Sequence, residues 1–376
     1  MRLATTFLTL AILLAVGAGS AVARDFAPVD RPGPALSVPE AALAKAFVCE
    51  PSVSTSTTPP VLLVPGTTLT PQSNYAWNYE RSLDALKIPW CTIELPEAAT
   101  ADIQVAGEYV VYAIRHEYAL SGRKIGILGF SQGGMVPRWA LRFWPDTRPM
   151  VDDDIGLDAS NHGTQDSEYC NTTRSCPAAF WQQRTSSEFN KALNSFAETF
   201  AGISYTEIYS RADEVVTPNL DDTGSSALHT GAGQIANVRV QDICPADTSD
   251  HLAMGSYDAV GYALAIDALT HAGPADAARI PASVCAQPFQ PGVNPATFPS
   301  DYAAYLAAVG AGGSKAKMIS AEPPLACYVF ADCPTAAQRA AGVKARKKRA
   351  AAKRAKRHSR HHKRTRRHVR SPAFTG

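Results

Sequence analysis

A serine attacks a carbonyl carbon only when another group takes its proton, so the informative residues are a serine in a sharp turn and a histidine and carboxylate to serve it. Gly129-Phe130-Ser131-Gln132-Gly133 supplies the serine in a G-x-S-x-G pentapeptide. It lies between the apolar run Ile125-Gly126-Ile127-Leu128 and a helical pattern from Met135 to Trp144. A strand-to-helix turn of this kind holds the serine at strained φ/ψ, and side chains at the two glycine positions would collide across it. Pro137 falls about a turn into the helix, where its missing N–H is expected to weaken or bend the first turn.

With this motif the chain order is serine, then acid, then histidine. Of the nine histidines, His358, His361, His362 and His368 lie in a basic C-terminal stretch and His116 precedes the serine, leaving His162, His229, His251 and His271. His271 ends a helical pattern and His229 stands in a glycine-rich loop, both positions that suit a solvated imidazole. His251 stands in a loop just before a helix, where a histidine can swing over a sheet edge. Asp213 follows a strand pattern at Thr206 to Ser210, 82 residues after Ser131 and 38 before His251. Glu214, Asp221 and Asp222 compete with it as ordinary loop acids. Spacing favours Ser131, Asp213 and His251 without closing those alternatives.

These residues need a frame. Val61-Leu62-Leu63-Val64 before Pro65-Gly66 suits a strand buried on both faces, as does the run from Lys124 to Gly129. Apolar residues recur at helical spacing from Asp102 to Leu120, with Asp102 as a cap, and a long helix is expected from Leu252 to Ala272. Strand and helix in alternation imply an α/β fold, a doubly wound, mostly parallel sheet with helices on both faces.

The chain has 376 residues, 45% hydrophobic and 19% charged, which excludes a wholly disordered chain and a membrane bundle. Its net charge of +2 hides a split. Residues 339–376 hold 16 of the 36 Lys and Arg and no acid, leaving 20 basic against 34 acidic residues in 1–338. Residues 1–23 read as a signal peptide, with Arg2, an apolar run from Phe7 to Val16, and Ala21-Val22-Ala23 as the cleavage site, so the chain is expected to be secreted. Residues 24–46, with Pro28, Pro32, Pro34 and Pro39, read as an extended arm or pro-segment, and 47–338 as the catalytic domain. The eight cysteines of an exported chain imply four disulfides, in any of about 105 pairings, and without a C-x-x-C motif no metal site is expected. The tail 339–376 is low-complexity and expected to be disordered, either a solubilising extension or a segment that binds anionic envelope polymer or lipid. It has no Phe, Tyr or Trp between Arg339 and Arg370, which argues against a specific nucleic-acid site.

Over about residues 47–335 the chain resembles the Candida antarctica lipase B-like family of α/β-hydrolase lipases. The likeness rests on Leu62 to Thr67, Ser131-Gln132-Gly133-Gly134, Trp181-Gln182-Gln183, Tyr209 to Glu214 and Asp250-His251. It implies the α/β-hydrolase fold, Ser131 as nucleophile, Asp213 as acid and His251 as base, an oxyanion hole at Thr67 and Gln132, and substrate contacts at Phe130 and Gln183. It further implies the pairs Cys49 with Cys91, Cys244 with Cys285 and Cys327 with Cys333, no cofactor, and a monomer that hydrolyses lipid or other carboxylic esters, including substrate at an interface. Polymeric esters are the alternative substrate, and a non-catalytic envelope-binding role for the tail is the alternative function. Departures limit the transfer. Cys170 and Cys176 fall in residues 164–180, the region resembling the family's small lid, where a local disulfide would restrict it. Phe130 replaces a Trp and Asn161-His162-Gly163 replaces an Asp-bearing stretch, so the alcohol-side pocket does not carry over. The segment Tyr302 to Ala308 either lines the pocket mouth or packs on the core as a surface helix.

Overall fold

The computed structural model describes residues 24–334, 338, 341 and 344–349, so the expected signal peptide and most of the basic tail lie outside the described residues. Among the described residues nine strands follow in chain order: β1 (Phe47–Cys49), β2 (Val61–Val64), β3 (Trp90–Ile93), β4 (Ile125–Phe130), β5 (Val151–Leu157), β6 (Cys176–Pro177), β7 (Ser204–Tyr209), β8 (Gln234–Arg239) and β9 (Met318–Ile319). Seven form one sheet in the order β1-β3-β2-β4-β5-β7-β8, and β6 pairs with β9 in a separate ribbon. Within the sheet only β1 runs antiparallel to its neighbour.

The apolar runs explain the layering. Leu62 and Val64 of β2 enter one core with the helices Ile103–Ser121 and Gln132–Phe143, while Val61 and Leu63 enter the other with Ala259–Thr270 and Phe298–Lys315. A strand that feeds two cores must be apolar at every position. Helix Ile103–Ser121 is capped by Asp102, whose side chain accepts from Gln104 N–H, and it ends at Gly122 with φ 65°.

The helix Gln132–Phe143 runs on through Pro137, because all twelve of its residues are buried and tertiary packing outweighs one missing hydrogen bond. The structure departs from expectation in two places. The expected helix at Leu252 to Ala272 is two, His251–Met254 and Ala259–Thr270, because Asp258 caps the second by accepting from Gly261 N–H. Residues 24–46 lie on the body and contain a helix, Glu40–Ala46. Phe26 bridges to Phe330, and Glu108 accepts the Ser37 hydroxyl and the Val38 N–H.

The cysteines pair as Cys49–Cys91, Cys170–Cys176, Cys244–Cys285 and Cys327–Cys333. The first joins registered partners on β1 and β3. Among the described residues no helix is long and apolar enough to cross a membrane.

Candidate active site

β4 delivers Ser131 at the sheet's C-terminal edge with φ 56° and ψ −123°, and the helix Gln132–Phe143 starts at once. The two glycines make this turn possible. A Cβ on Gly129 would lie 2.0 Å from Gly133 O, and one on Gly133 would lie 2.1 Å from Val64 O. Ser131 N–H donates to Leu157 O at 2.9 Å, tying the elbow to β5.

Asp213 and His251 come together across the end of β7. Asp213 Oδ2 lies 3.0 Å from His251 Nδ1, while Oδ1 accepts the N–H groups of Val215 and Val216 at 2.8 Å each. A carboxylate held by two backbone donors presents a fixed face, which orients the imidazole and keeps its proton on Nδ1. The ring of Phe130 packs on that imidazole with centroids 4.7 Å apart. A Cβ on Gly255 would meet the Phe130 ring at 2.4 Å, so a glycine is needed just after the short helix that carries His251. Neither Ser131 Oγ nor His251 Nε2 takes a hydrogen bond from a described residue; both face one cavity of about 210 Å³, which Thr67, Phe130, Gln183 and Val309 also line. Such bonds often close only around bound substrate.

Thr67 Oγ1 accepts from Gln132 Nε2 at 3.2 Å and from Gln183 Nε2 at 3.1 Å. With both acceptor positions used, its own O–H is left to donate. Ser160 Oγ donates to Gln183 Oε1 at 2.9 Å and fixes which end of that amide faces Thr67. The Gln132 N–H, at the first position of its helix, has no intrahelical acceptor and sits at the positive end of the helix dipole. Thr67 O–H and Gln132 N–H therefore border the serine as two donors. Of the competing acids, Glu214, Asp221 and Asp222 are exposed, whereas Asp213 is buried.

Lipase B of Pseudozyma antarctica is 32% identical over 220 residues, 58% of this chain and 64% of that lipase. That match spans just under two thirds of its length. The crystal structure of Aspergillus fumigatus lipase B superposes with a TM-score of 0.73 at 30% identity, covering 81% of this chain and 75% of that one. No protein-family model matches the chain. The chain belongs to the lipase B-like family of α/β-hydrolases.

In this lipase B-like chain the segment 164–180 is fastened on several sides. Cys170–Cys176 closes it on itself and β6 pairs with β9, while just past its end Trp181 Nε1 donates to Ile319 O at 3.1 Å and Arg184 pairs with Glu322 at 2.9 Å. Asp166, Ser167 and Phe180 of this segment nonetheless line the cavity. Of the two readings of Tyr302 to Ala308 the structure has the second, since Tyr305 is buried in the core and none of these residues lines the cavity, which Val309, just beyond them on the helix Phe298–Lys315, does reach. His229 is exposed, and His271 pairs with Asp267 four residues earlier. His162 is tied to Glu198 and has no place in the cavity. One residue escaped the sequence reading, the fully buried Asp158, whose Oδ2 lies 3.9 Å from His251 Nδ1. Its signal was positional, because it closes the strand next to β4 on the edge that carries Ser131.

Proposed function

We infer that the chain is a secreted serine hydrolase of carboxylic esters, a lipase or carboxylesterase acting through an acyl-enzyme on Ser131. Ser131 Oγ attacks the ester carbonyl while His251 Nε2 takes its proton, and Asp213 holds the imidazolium through Nδ1–H. The carbonyl oxygen becomes an oxyanion between Thr67 O–H and Gln132 N–H. His251 returns the proton to the leaving alkoxide, the alcohol departs, and water hydrolyses the acyl-enzyme by the same route. Phe130 and Gln183 shape the substrate's place in the cavity.

The observation that carries this reading is the Asp213-bound imidazole with an unengaged Nε2 on the cavity that holds Ser131. Hydrolysis of p-nitrophenyl esters of increasing acyl length tests it. Ser131→Ala is expected to reduce kcat/KM by at least about 10³-fold. Wild-type rates in that variant would overturn it, and the chain-length profile sorts lipase from carboxylesterase. The fastened segment 164–180 favours a cavity open without an interface, so no rate jump is expected where a soluble ester begins to form micelles. The reading includes a signal peptide at 1–23, a catalytic domain at 47–338, a monomeric enzyme and a tail at 339–376 that attaches it to anionic polymer or lipid.

A further inference from the structure

Two carboxyl groups, not one, stand at the imidazole of His251. Asp158 follows β5 with its backbone at φ 42° and its side chain wholly buried. One carboxyl oxygen from each of Asp158 and Asp213 and a ring nitrogen of His251 all lie within 4.8 Å of one another. The two oxygens of Asp158 have different surroundings. Oδ1 accepts Ser210 N–H at 2.8 Å and faces Asn219 Nδ2 at 3.4 Å. Oδ2 is buried and meets no donor.

A buried carboxylate oxygen without a donor is costly, and two carboxylates sharing a dry corner repel. A proton on Oδ2 removes both penalties, because that oxygen then gives a hydrogen bond instead of lacking one. The titratable groups facing Asp158 are Asp213 after β7, His251 on the helix His251–Met254 and, less closely, Asp258 ahead of the helix Ala259–Thr270. No Lys or Arg pairs with it among the described residues. Burial first and the Asp213 charge second hold its acid well above the ordinary carboxyl range.

We propose that Asp158 is a positioning residue, a neutral carboxylic acid whose Oδ2–H is donated to the Asp213 carboxylate and holds that carboxylate on His251 Nδ1. The proposal rests on the roles given above to Asp213 and His251. Asp213 then takes two backbone N–H groups on one oxygen and Asp158 on its other side, which leaves little freedom except toward the imidazole. A donor on Asp213 also withdraws charge from the imidazolium, so losing it raises the pH at which His251 gives up its proton.

Two measurements test this in the full chain. The infrared difference spectrum between wild type and Asp158→Asn at neutral pH is expected to show the carbonyl band of a protonated carboxyl; carboxylate bands in its place overturn the proposal. This readout needs no catalysis, so it stands even if Ser131 proves not to be the nucleophile. In the pH profile of kcat/KM, Asp158→Ala is expected to lose on the order of tenfold, the worth of one hydrogen bond to a charged group. Its acid limb is expected to move upward by about half a pH unit to one unit. Asp158→Asn keeps a donor toward Asp213, so its acid limb is expected to stay in place. A limb displaced downward in Asp158→Asn would mean that a negative charge had been removed from beside the imidazolium, and an unmoved limb in Asp158→Ala would remove the positioning role. Should Asp158→Ala fail to fold, the isosteric Asn variant and the infrared spectrum still decide.

Discussion

Two of the imidazoles that rest on carboxylates among the described residues, His162 and His251, are spent differently. His162 places Nε2 2.7 Å from Glu198 Oε1 and Nδ1 3.0 Å from Ser225 O, so both nitrogens face acceptors. The other oxygen of Glu198 accepts the N–H groups of His229 at 2.6 Å and Thr230 at 2.7 Å, which stitches β8's approach loop to the segment after Leu193. His251 gives only Nδ1 to its carboxylate and keeps Nε2 for the cavity. A histidine beside a carboxylate is therefore no signature of a base. The signature is the nitrogen left over, facing a nucleophile.

Equal chemical changes at the two carboxylates should break the likeness between the corners. Asp213→Asn exposes the imidazole to the wrong tautomer and is expected to lower kcat on the order of 10⁴-fold, the loss that the corresponding change causes in a serine protease. Glu198→Gln is expected to leave kcat within a few-fold and to cost about 1 to 3 kcal/mol of stability, because it weakens a buried acceptor of three hydrogen bonds. Steady-state kinetics and denaturant unfolding of the two variants side by side check both. Equal loss of kcat in both would dissolve the distinction. His162→Gln sharpens it: the amide can still donate to one acceptor, so roughly 1 kcal/mol of stability is expected to go with catalysis intact.

Much of this is legible in the sequence, and what is not shares a physical cause. β2 and β4 were legible because a strand buried on both faces is apolar at every position. β5 was not, since Val151-Asp152-Asp153-Asp154 reads as a polar loop. Yet Asp154 is buried, and burial pushes its carboxyl up to about 7 and that of Asp153 up to about 8, so both are tolerated largely by staying protonated. Asp158 was hidden in the same stretch. Ser131 is legible because a strand-to-helix elbow admits only glycine at its two crowded positions, whereas Asp213 and His251 meet through long-range packing that spacing constrains loosely.

The corners should also part company with pH, through smaller effects. Burial raises the Glu198 carboxyl, but its bonds to His162 and His229 and the charge of Arg138 outweigh that and hold it near about 2, against an ordinary 4.5. Such a depressed group contributes stability that is present above pH 4.5 and is lost as pH falls toward 2. Asp154 and Asp153 act in the opposite sense. Their folded forms keep the proton to about 7 and about 8, against 3.8 in the open chain, so stability declines as pH rises through that window. The melting temperature should therefore be highest on the mildly acidic side and fall toward pH 8. Under the proposed mechanism catalysis runs the other way, since His251 would work as a base only without its proton on Nε2. Melting curves between pH 3 and 9 check the first half and the pH profile of kcat/KM the second. Asp154→Asn is expected to flatten the alkaline decline and Glu198→Gln the acid one, with the acid limb of catalysis unmoved in both. A melting temperature that climbs steadily with pH would show that the buried acids of β5 are ionised after all.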